Sequence, residues 1–427
     1  MRILLLGANG FIGRELWAAL QARGHAVVPG IRRGSRAPAF AAEAAIEIDL
    51  ARDCDAQAWI PRLRGIDAVV NCAGILQERG SGRAEAIHVH APAALYAACL
   101  RSNVRRVVLV SAISATAGAG TAYARTKLAG EDALRSTALE WVVFRPSLVY
   151  ARGAYGGTAL FRALAALPGF VPLPCDGGQA FQPIHVDDLA QAVAMAVESD
   201  ALVGRTVEPV GPDVVTLRTI VLDYRRWLGL APAIVVSVPV ALAKAAARIG
   251  DLLGGPLNST AWAQLEHGNT GDANAYAEQT GLAPLGWQAA LARHPSHAQD
   301  RWHARLYFVR PLLRLAVALL WIGSGVVGWA AAARWAGPLA DGLGVSREMA
   351  AALLRVSCLL DVALGALVAA RWRPAPLAAI QAAVVVGYTA VAGAIAPALW
   401  WDPFGPLLKN LPALAAIAAL AAIEEDR

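Results

Sequence analysis

A tyrosine and a lysine, Tyr123 and Lys127, stand four residues apart in the run Tyr-Ala-Arg-Thr-Lys. On a helix this spacing places both side chains on the same face, one turn apart. The lysine cation is expected to lower the pKa of the phenol, which can then exchange a proton with a substrate oxygen while hydride moves at a nicotinamide. Only three lysines occur in 427 residues. The pair therefore indicates acid–base chemistry, against the alternative of a chance spacing.

A glycine-rich run follows the first apolar segment of the chain, in the order Gly-Ala-Asn-Gly-Phe-Ile-Gly. Its GxxGxxG spacing lets the backbone turn tightly and approach a pyrophosphate, whose charge then lies at the N-terminus of the following helix. A dinucleotide-binding motif requires this position between a strand and a helix. We therefore predict cofactor contacts from Gly7, Asn9, Gly10, Phe11, Ile12 and Gly13.

Two arginines, Arg32 and Arg33, follow the second predicted strand. A site that prefers NAD usually presents an acidic residue to the ribose hydroxyls at this point, whereas guanidinium groups fit a 2′-phosphate. The sequence therefore favours NADP(H) over NAD(H). The alternative is a solvated basic loop in an arginine-rich chain.

Short apolar runs alternate with alanine-rich helical segments over residues 1–150, which is typical of an α/β, doubly wound parallel sheet of the Rossmann kind. Residues 151–304 contain more glycine and proline, with helices expected at Asp187–Glu198 and Leu217–Leu228 and a strand near Ile234–Val236. We interpret them as a smaller substrate-side lobe. The strands predicted for the sheet are Ile3–Leu6, Ala26–Val28, Ala68–Val70, Val107–Val110 and Trp141–Phe144.

Residues 305–427 are far more apolar than the rest and contain four candidate membrane spans. A bilayer core of about 30 Å needs roughly 20 apolar residues in a helix. Buried helices of a soluble bundle are the alternative, but short loops between successive apolar segments favour an all-α, four-helix transmembrane bundle. The predicted spans are Leu315–Ala333, Met349–Ala370, Ala375–Leu399 and, less clearly, Pro406–Ile423.

Basic residues are distributed asymmetrically around these spans. The positive-inside rule then predicts a multi-pass protein of the cytoplasmic membrane, with its N-terminal domain in the cytoplasm. Five scattered cysteines without a CxxC pair indicate neither a disulfide framework nor a zinc site. The net charge of +6 comes without any long basic run, so nucleic acid is not expected as a partner. The basic residues in question are Arg301, Arg305, Arg310 and Arg314 before the first span, and Arg371 and Arg373 before the third.

Two charged residues, Arg355 and Asp361, fall inside the second predicted span. Each would cost roughly 2.5–3.5 kcal/mol there if unpaired, so we expect both to face the bundle interior. Because they are six residues apart, their side chains lie on different faces of an α-helix. Each is therefore expected to have a partner elsewhere.

A histidine and two aspartates in the run His185-Val186-Asp187-Asp188 resemble a set of metal ligands. No further His/Cys cluster is evident in the sequence. An aspartate at the start of the helix expected here also acts as an N-cap. We therefore favour a structural role for Asp187 or Asp188 and predict no metal.

The motifs together resemble the extended or atypical short-chain dehydrogenase/reductase family over roughly residues 1–300. Part of this region is similar to the NADPH-binding accessory-subunit branch of respiratory complex I, and the chain from about Leu306 resembles DoxX-like membrane domains. The family motifs are the glycine run, Asp49-Leu50, Asn71-Cys72-Ala73-Gly74, the Tyr–Lys pair, Phe144–Ser147 and Pro183–Ala190. The branch is suggested by Glu208–Pro212, Pro256–Asn269 and Gln299–Trp302, and the DoxX likeness by Asp402–Pro406 and Lys409–Pro412.

The resemblance implies roles for individual residues. Tyr123 and Lys127 would form the catalytic pair, and the position of the family's catalytic serine is occupied by Ile113, so Ser111 or Ser114 would have to substitute. The family's helix asparagine corresponds to His90 in this comparison. Cofactor contacts are implied for Asp49, Leu50, Asn71, Ala73, Gly74, Tyr123 and Lys127.

Two functions follow from these residues. The first is a membrane-tethered, NADP-dependent oxidoreductase that acts on a lipid-soluble carbonyl or quinone-type substrate, since a membrane tether suggests an apolar substrate. The second is a non-catalytic NADPH-binding or assembly protein of a membrane complex, which the absent serine favours. Epimerisation or dehydration of a nucleotide sugar fits the fold but does not explain the spans.

Overall fold

The computed structural model describes residues 1–32, 45–76, 82–118, 120–253 and 257–424. The chain divides into two compact units, Met1–Ala304 and Arg305–Arg427. Each unit is described by itself below.

A seven-stranded parallel sheet forms the centre of the first unit, with the strand order β11-β6-β5-β4-β1-β2-β3. Its central strands are apolar almost throughout because both faces are covered by helices. The predicted parallel Rossmann sheet is therefore confirmed. The strands are β1 (Arg2–Leu6), β2 (Ala26–Arg32), β3 (Ile46–Ile48), β4 (Ala68–Asn71), β5 (Arg106–Val110), β6 (Glu140–Phe144) and β11 (Arg205–Val207).

Helices cover this sheet on both faces. On one face α1 and α7 bury Leu16, Leu20 and Val193 against the strands, and on the other α4 and α5 bury Leu95 and Leu134. These helices follow strands of a parallel sheet, as βαβ crossovers require. The helices of this part are α1 (Phe11–Ala22), α2 (Ala56–Trp59), α3 (Arg83–Glu85), α4 (Ala91–Arg101), α5 (Ala122–Arg135), α6 (Gly156–Ala165) and α7 (Val186–Glu198).

Short strand pairs and helices after the sheet form a second core, in which Tyr150, Tyr224 and Trp287 are fully buried. The helices and the strand predicted in this stretch are present. The strand pairs are β7 (Val149–Tyr150) with β10 (Ile184–His185), β9 (Ala180–Phe181) with β12 (Val215–Thr216), and β8 (Phe170–Pro174) with β13 (Ile234–Val238). The helices are α8 (Leu217–Trp227), α9 (Val240–Leu253), α10 (Ser259–His267), α11 (Ala273–Thr280) and α12 (Trp287–Arg293).

Among the residues that the structure describes, three helices are long and apolar enough to cross a membrane: α13 (Ala298–Leu343), which begins in the first unit, α14 (Arg347–Ala369) and α15 (Pro374–Ile395). The fourth predicted span is wrong in length. Its helix α16 (Asn410–Ile423) has 14 residues, and these reach about 21 Å, short of a bilayer core of about 30 Å. The segment before it turns instead of continuing as a helix, since it contains Pro403, Gly405 and Pro406.

The two charged residues of α14, Asp361 and Arg355, have different surroundings. Asp361 is buried and accepts a hydrogen bond from the Tyr388 hydroxyl at 3.0 Å, as expected for a charge that faces the bundle interior. Arg355 differs from the prediction, because its side chain is exposed and its guanidinium lies over the Trp329 ring at 5.9 Å. A long arginine side chain can extend along apolar surface and keep its charge near water, so it need not point inward.

A fully buried carboxylate, Glu131 on α5, ties this helix to the end of β6. It accepts hydrogen bonds from Arg145 Nη2 at 2.6 Å and from Arg135 Nη2 at 2.6 Å. Removing one partner of a buried ion pair leaves uncompensated charge inside the protein. Glu131 therefore keeps α5, which carries Tyr123 and Lys127, in a fixed position against the sheet.

We predict that Glu131→Ala lowers the free energy of unfolding of the first unit by about 3–5 kcal/mol. The matched control is Asp132→Ala, whose carboxylate is exposed and pairs with Arg135 at 2.9 Å; it should cost less than about 1 kcal/mol. Guanidinium unfolding of the detergent-solubilised chain, followed by pulse proteolysis, measures both. Equal losses in the two variants would show that the buried ion pair does not anchor the helix.

Candidate functional site

The glycine loop between β1 and α1 is packed so closely that side chains are excluded. Gly7 has a φ of +79°, and its carbonyl accepts a hydrogen bond from the Gly10 amide at 2.8 Å. A Cβ on Gly13 would lie 2.1 Å from the Gly7 oxygen. Gly10 caps α1 and has no side chain to cover the first N–H groups of the helix. The helix N-terminus is therefore open to an anion, as binding of a pyrophosphate requires.

The carboxyl end of β4 lies against this loop. A Cβ on Gly7 would be 2.9 Å from the Ala73 nitrogen. Asn71 is buried and accepts a hydrogen bond from the Ala73 amide at 3.1 Å through its side-chain oxygen. The predicted contacts Gly7, Asn71, Ala73 and Gly74 therefore lie at one edge of the sheet. This edge is the carboxyl end of neighbouring parallel strands, where ligands of doubly wound folds bind.

The two strands β2 and β3 end side by side at the same edge. Arg32 is the last residue of β2, is exposed, and pairs in register with Ile48 of β3. Asp49 follows β3, accepts a hydrogen bond from the Ala51 amide at 3.1 Å, and lies 3.7 Å from Arg52 Nε. The predicted contact Arg33 lies outside the described residues.

Lys127 is buried at the centre of the site. Its Nζ donates a hydrogen bond to the Val110 carbonyl at 3.0 Å, at the end of β5. A Cβ on Gly74 would be 3.2 Å from the same Nζ, so glycine at this position leaves the ammonium unhindered. Burial lowers the pKa of Lys127 to about 8. The lysine remains mainly a cation at neutral pH.

Tyr123 is the second residue of α5, whose N-cap Thr121 accepts a hydrogen bond from the Ala124 amide at 3.2 Å through its hydroxyl. Burial raises the pKa of Tyr123 to about 12. This differs from the expected lowering by Lys127, because desolvation of the phenolate exceeds any attraction to the ammonium, which lies against Val110. A phenol of this kind is protonated at neutral pH and suits donation of a proton.

His88 is a site residue that the sequence analysis did not identify. It is buried, its ring meets Tyr123 edge-on with 5.7 Å between centroids, and its Nδ1 is 2.8 Å from the Thr126 hydroxyl. Its Nε2 accepts from the Ile75 amide at 3.1 Å, and burial together with the nearby Lys127 charge lowers the pKa of His88 to about 3. The imidazole is therefore neutral.

The structure places His88, and not the predicted His90, beside Tyr123, whereas His90 is exposed. The two lie in a π-helical turn, Ala86–His90, that precedes α4. A π-helical turn contains more residues than an α-helical one, so counting at the ordinary period assigns side chains to the wrong face. The sequence does contain a signal for this residue: in the run Ile-His-Val-His, a histidine lies between two apolar residues, which is typical of a partly buried segment.

The two candidate serines have different surroundings. Ser111 directly follows the Val110 carbonyl that Lys127 holds, is buried, and its Oγ has no hydrogen-bond partner among the described residues. Ser114 instead lies 3.5 Å from Gln264 Nε2 of α10. Ile113, which lies between the two serines in the sequence, packs against the apolar core. Of the two hydroxyls, only that of Ser111 combines burial with a free hydrogen-bonding capacity.

Cys72 is a second titratable group near Lys127 for which the sequence predicted no role in the chemistry of the site. Its thiol donates to the Leu6 carbonyl at 3.0 Å. Burial raises the pKa of Cys72 to about 12, although the Lys127 charge acts in the opposite direction. The thiol is therefore a structural group of the sheet edge at neutral pH.

A further histidine, His294, lies close to the run His185-Val186-Asp187-Asp188 that resembles a set of metal ligands. His185, and not Asp187 or Asp188, caps α7, with Nδ1 accepting from the Asp187 amide at 3.3 Å. His294 stacks on His185 at 4.8 Å with 6° between the ring planes, and its Nε2 lies 3.9 Å from the Asp187 carboxylate. Imidazole lone pairs lie in the ring plane, so two stacked rings do not aim at one ion. The arrangement is that of a capped helix with a histidine stack.

Two protein families match different parts of the chain. Residues 3–208 match the NAD dependent epimerase/dehydratase family, and residues 318–418 match the DoxX-like family. The chain is 32% identical over 232 residues to a 3-diazoavenalumate denitrifying reductase of a Streptomyces species, with 47% of this chain and 73% of that protein covered.

Two further relatives are matched over shorter shares of their length. A ceramide reductase of Caulobacter vibrioides is 30% identical over 190 residues, which cover 44% of this chain and 58% of that protein. Subunit 9 of the NADH dehydrogenase (ubiquinone) 1 alpha subcomplex, mitochondrial, of Arabidopsis thaliana is 27% identical over 267 residues, which cover 58% of this chain and 63% of that protein. The chain thus spans less than two thirds of either relative.

Solved structures of the same fold contain a bound dinucleotide. A UDP-glucose 4-epimerase of Thermus thermophilus in complex with NAD aligns with a TM-score of 0.53 and 22% identity, over 71% of this chain and 99% of that chain. At this identity the likeness shows the fold alone. Together with the reductase relative and the two family matches, it confirms the resemblance predicted from the motifs. The chain belongs to the NAD-dependent epimerase/dehydratase family, with a short-chain dehydrogenase/reductase-like Rossmann domain fused to a C-terminal DoxX-like membrane domain.

Proposed function

We propose that this protein is a membrane-anchored NAD(P)H-dependent oxidoreductase that acts on a lipid-soluble carbonyl or quinone-type substrate. The observation that carries the proposal is the position of Tyr123 and Lys127 on α5, with Lys127 buried between Gly74 and the end of β5. A reductase relative that is named for a ceramide is consistent with a lipid substrate. The membrane domain holds the chain where such a substrate dissolves.

The residues present fit a bound dinucleotide. The glycine loop and the open N-terminus of α1 would hold the pyrophosphate, Lys127 the nicotinamide ribose, and Asn71, Ala73 and Gly74 would line the cleft. A Cβ at Gly7, Gly13 or Gly74 would lie close to other protein atoms that border this cleft. Glycine at these three positions keeps the cleft in its observed shape. When bound, the cofactor supplies the hydride. Arg32 and Arg33 would contact a 2′-phosphate, which favours NADP(H) over NAD(H).

Proton transfer falls to Tyr123. Its phenol is protonated at neutral pH, as an ordinary tyrosine is, and burial raises its pKa further, to about 12; it can therefore donate a proton to the developing alkoxide of a carbonyl that takes up hydride. Lys127 stabilises the phenolate that remains, since an ammonium favours the charged form of a neighbouring acid. Ser111, with its unpartnered hydroxyl, is the group that orients the substrate oxygen.

His88 has a positioning role in this proposal. Its neutral ring bridges the Ile75 amide and the Thr126 hydroxyl. These contacts join the loop after β4 to the helix that carries Tyr123 and Lys127. His88 therefore keeps the cofactor side and the proton-donating side of the cleft in register.

We place the protein in the cytoplasmic membrane with its N-terminal domain in the cytoplasm. The arginines in the first turns of α13, ahead of its apolar stretch, and those between α14 and α15 support this orientation. A cytoplasmic site also has access to reduced nicotinamide cofactors.

A second candidate function is a non-catalytic NADPH-binding or assembly protein of a membrane complex. Ile113 in place of the family's serine favours it, and one relative is a subunit of NADH dehydrogenase. Epimerase or dehydratase chemistry on a nucleotide sugar is also compatible with the family match. The Tyr–Lys pair would serve either enzymatic reaction, whereas a binding protein would not need the phenol.

The variant Tyr123→Phe separates the enzymatic function from the binding function, because it removes one hydroxyl and keeps the ring. We predict a fall in kcat of about 10²–10⁴-fold with little change in NADPH affinity. Lys127→Met should impair both, since the ammonium is proposed to hold the ribose as well as the phenolate. NADPH oxidation against apolar carbonyls and quinones in nanodiscs measures the rate, and complementation of a deletion strain gives the cellular readout. Full complementation by Tyr123→Phe would favour the assembly function.

The glycine loop gives a test of cofactor binding that does not depend on the substrate. In Gly13→Ala the new Cβ would meet the Gly7 oxygen at 2.1 Å, so we predict loss of NAD(P)H binding by at least tenfold, about 1.4 kcal/mol. Gly157→Ala on α6 is the control, because nothing lies within 4 Å of its Cβ position. Fluorescence titration of bound nicotinamide compares the two. Unchanged binding in Gly13→Ala would place the dinucleotide elsewhere.

Cofactor preference is tested by replacing Arg32 and Arg33 together with serine. The double variant should lose NADPH affinity and keep NADH affinity, since only NADPH presents the 2′-phosphate. Calorimetric titration of both nucleotides on parent and variant provides the comparison. Identical curves for the two nucleotides in the parent would refute the NADP(H) preference.

A further inference from the structure

Helix α9 presents an unusual amount of aliphatic surface to its surroundings. Leu242, Ile249 and Leu252 are 61%, 57% and 87% exposed. Their spacing of seven and three residues places them on one face of the helix. We propose that this face of α9, together with the adjoining edge of β13, rests on the surface of an anionic phospholipid bilayer.

The opposite face of α9 explains why the long side chains point outward. It consists of small residues, with Ala247 buried and Ala243 and Ala246 partly buried. Gly250 lies so close to the following segment that a Cβ would be 1.6 Å from the Leu257 oxygen. The helix thus packs on the domain through alanine and glycine. Its leucine and isoleucine side chains have no place in that core.

Basic residues border the apolar face. Lys244 and Arg248 are four residues apart, both exposed, on one side of the stripe. The one acidic residue of the helix, Asp251, is engaged in accepting from Ser259 N at 2.9 Å and Ser259 Oγ at 2.5 Å. Lys244 pairs with Glu266 at 2.9 Å, which leaves Arg248 as the more available cation. An apolar stripe with a basic border is the pattern of a helix that lies in the plane of an anionic membrane surface.

The strand before α9 also carries exposed apolar side chains. Ile234 and Val236 alternate on β13 and are both exposed, and Ile234 pairs in register with the exposed Phe170 of β8. Side chains at alternate positions of a strand share one face. Since α9 follows β13 after a single proline, Pro239, the strand face and the helix stripe belong to one stretch of chain.

A bilayer fits this surface better than a protein partner does. Energetically important positions of protein interfaces are enriched in tryptophan, tyrosine and arginine and depleted in leucine and valine, whereas the exposed positions of α9 are aliphatic. The chain also enters the membrane through α13, which begins at Ala298 in the first unit. This covalent attachment raises the effective concentration of lipid around the first unit, so a weak surface is sufficient.

Photolabelling of the full chain in nanodiscs tests the inference. The discs contain phosphatidylcholine with or without phosphatidylglycerol and a trace of diazirine-bearing phosphatidylcholine, and labelled peptides are identified by mass spectrometry. We expect label in α9 of the parent protein, greater with phosphatidylglycerol, in addition to label in the long apolar helices. Ile249→Glu combined with Leu252→Glu should abolish the label in α9 and leave the label in the long apolar helices unchanged. Arg248→Glu should reduce the phosphatidylglycerol-dependent part about fivefold.

The control pair is Leu100→Glu with Val214→Glu, which adds the same charge at other exposed apolar positions of the first unit. It should leave the α9 label unchanged. An unlabelled α9 in the parent, with the apolar helices labelled, would overturn the inference, as would label that persists in the Ile249/Leu252 double variant. An unlabelled α9 in discs that hold two copies of the chain would likewise overturn it and assign the surface to self-association. None of these outcomes depends on the proposed enzymatic activity.

Discussion

A single buried ammonium organises the cleft of the first unit. Lys127 reaches the carboxyl end of β5 and donates to the Val110 carbonyl. A charge taken out of water is tolerated only where polar groups compensate it. The backbone carbonyl supplies part of this compensation, and the electrostatic influence of Glu131 favours the charged form. Gly74 and His88 lie around this lysine and Tyr123 shares its helix, so the cleft can be understood as the surroundings of one cation.

The same helix is held from behind by the opposite charge. Glu131 lies one turn beyond Lys127 on α5 and is clamped by Arg145 and Arg135. Fixing the helix at this point limits its rotation and so keeps the ammonium aligned with the end of the sheet. On the cofactor side, alignment comes from the absence of side chains, because Gly7 and Gly13 bring backbone against backbone. Charge pairing and close backbone contact thus position the two sides of the cleft by different physical means.

Short-range patterns in the sequence predicted most of the architecture. The buried strands are continuous apolar runs, the glycine loop follows the first of them, and the Tyr–Lys pair lies on a helix. Side-chain detail was less accessible. His88 depends on a π-helical turn that no periodicity reveals, and the high pKa of Tyr123 depends on burial by distant parts of the chain. The fourth apolar stretch has the composition of a span, yet a turn rich in proline and glycine shortens its helix. Arg355 is exposed because a flexible side chain can move its charge several ångströms from its backbone.

The unreactive thiol of Cys72 has a consequence for the chemistry that the cleft can tolerate. Enones and quinones are electrophiles, and a thiolate beside them would add to the conjugated carbon and inactivate the protein. Burial raises the pKa of Cys72 to about 12, so the nucleophilic thiolate is much rarer at neutral pH than it is for an exposed cysteine. If the cleft takes the proposed quinone-type substrate, the desolvation of Cys72 lets a sulfur atom remain close to the lysine without being alkylated.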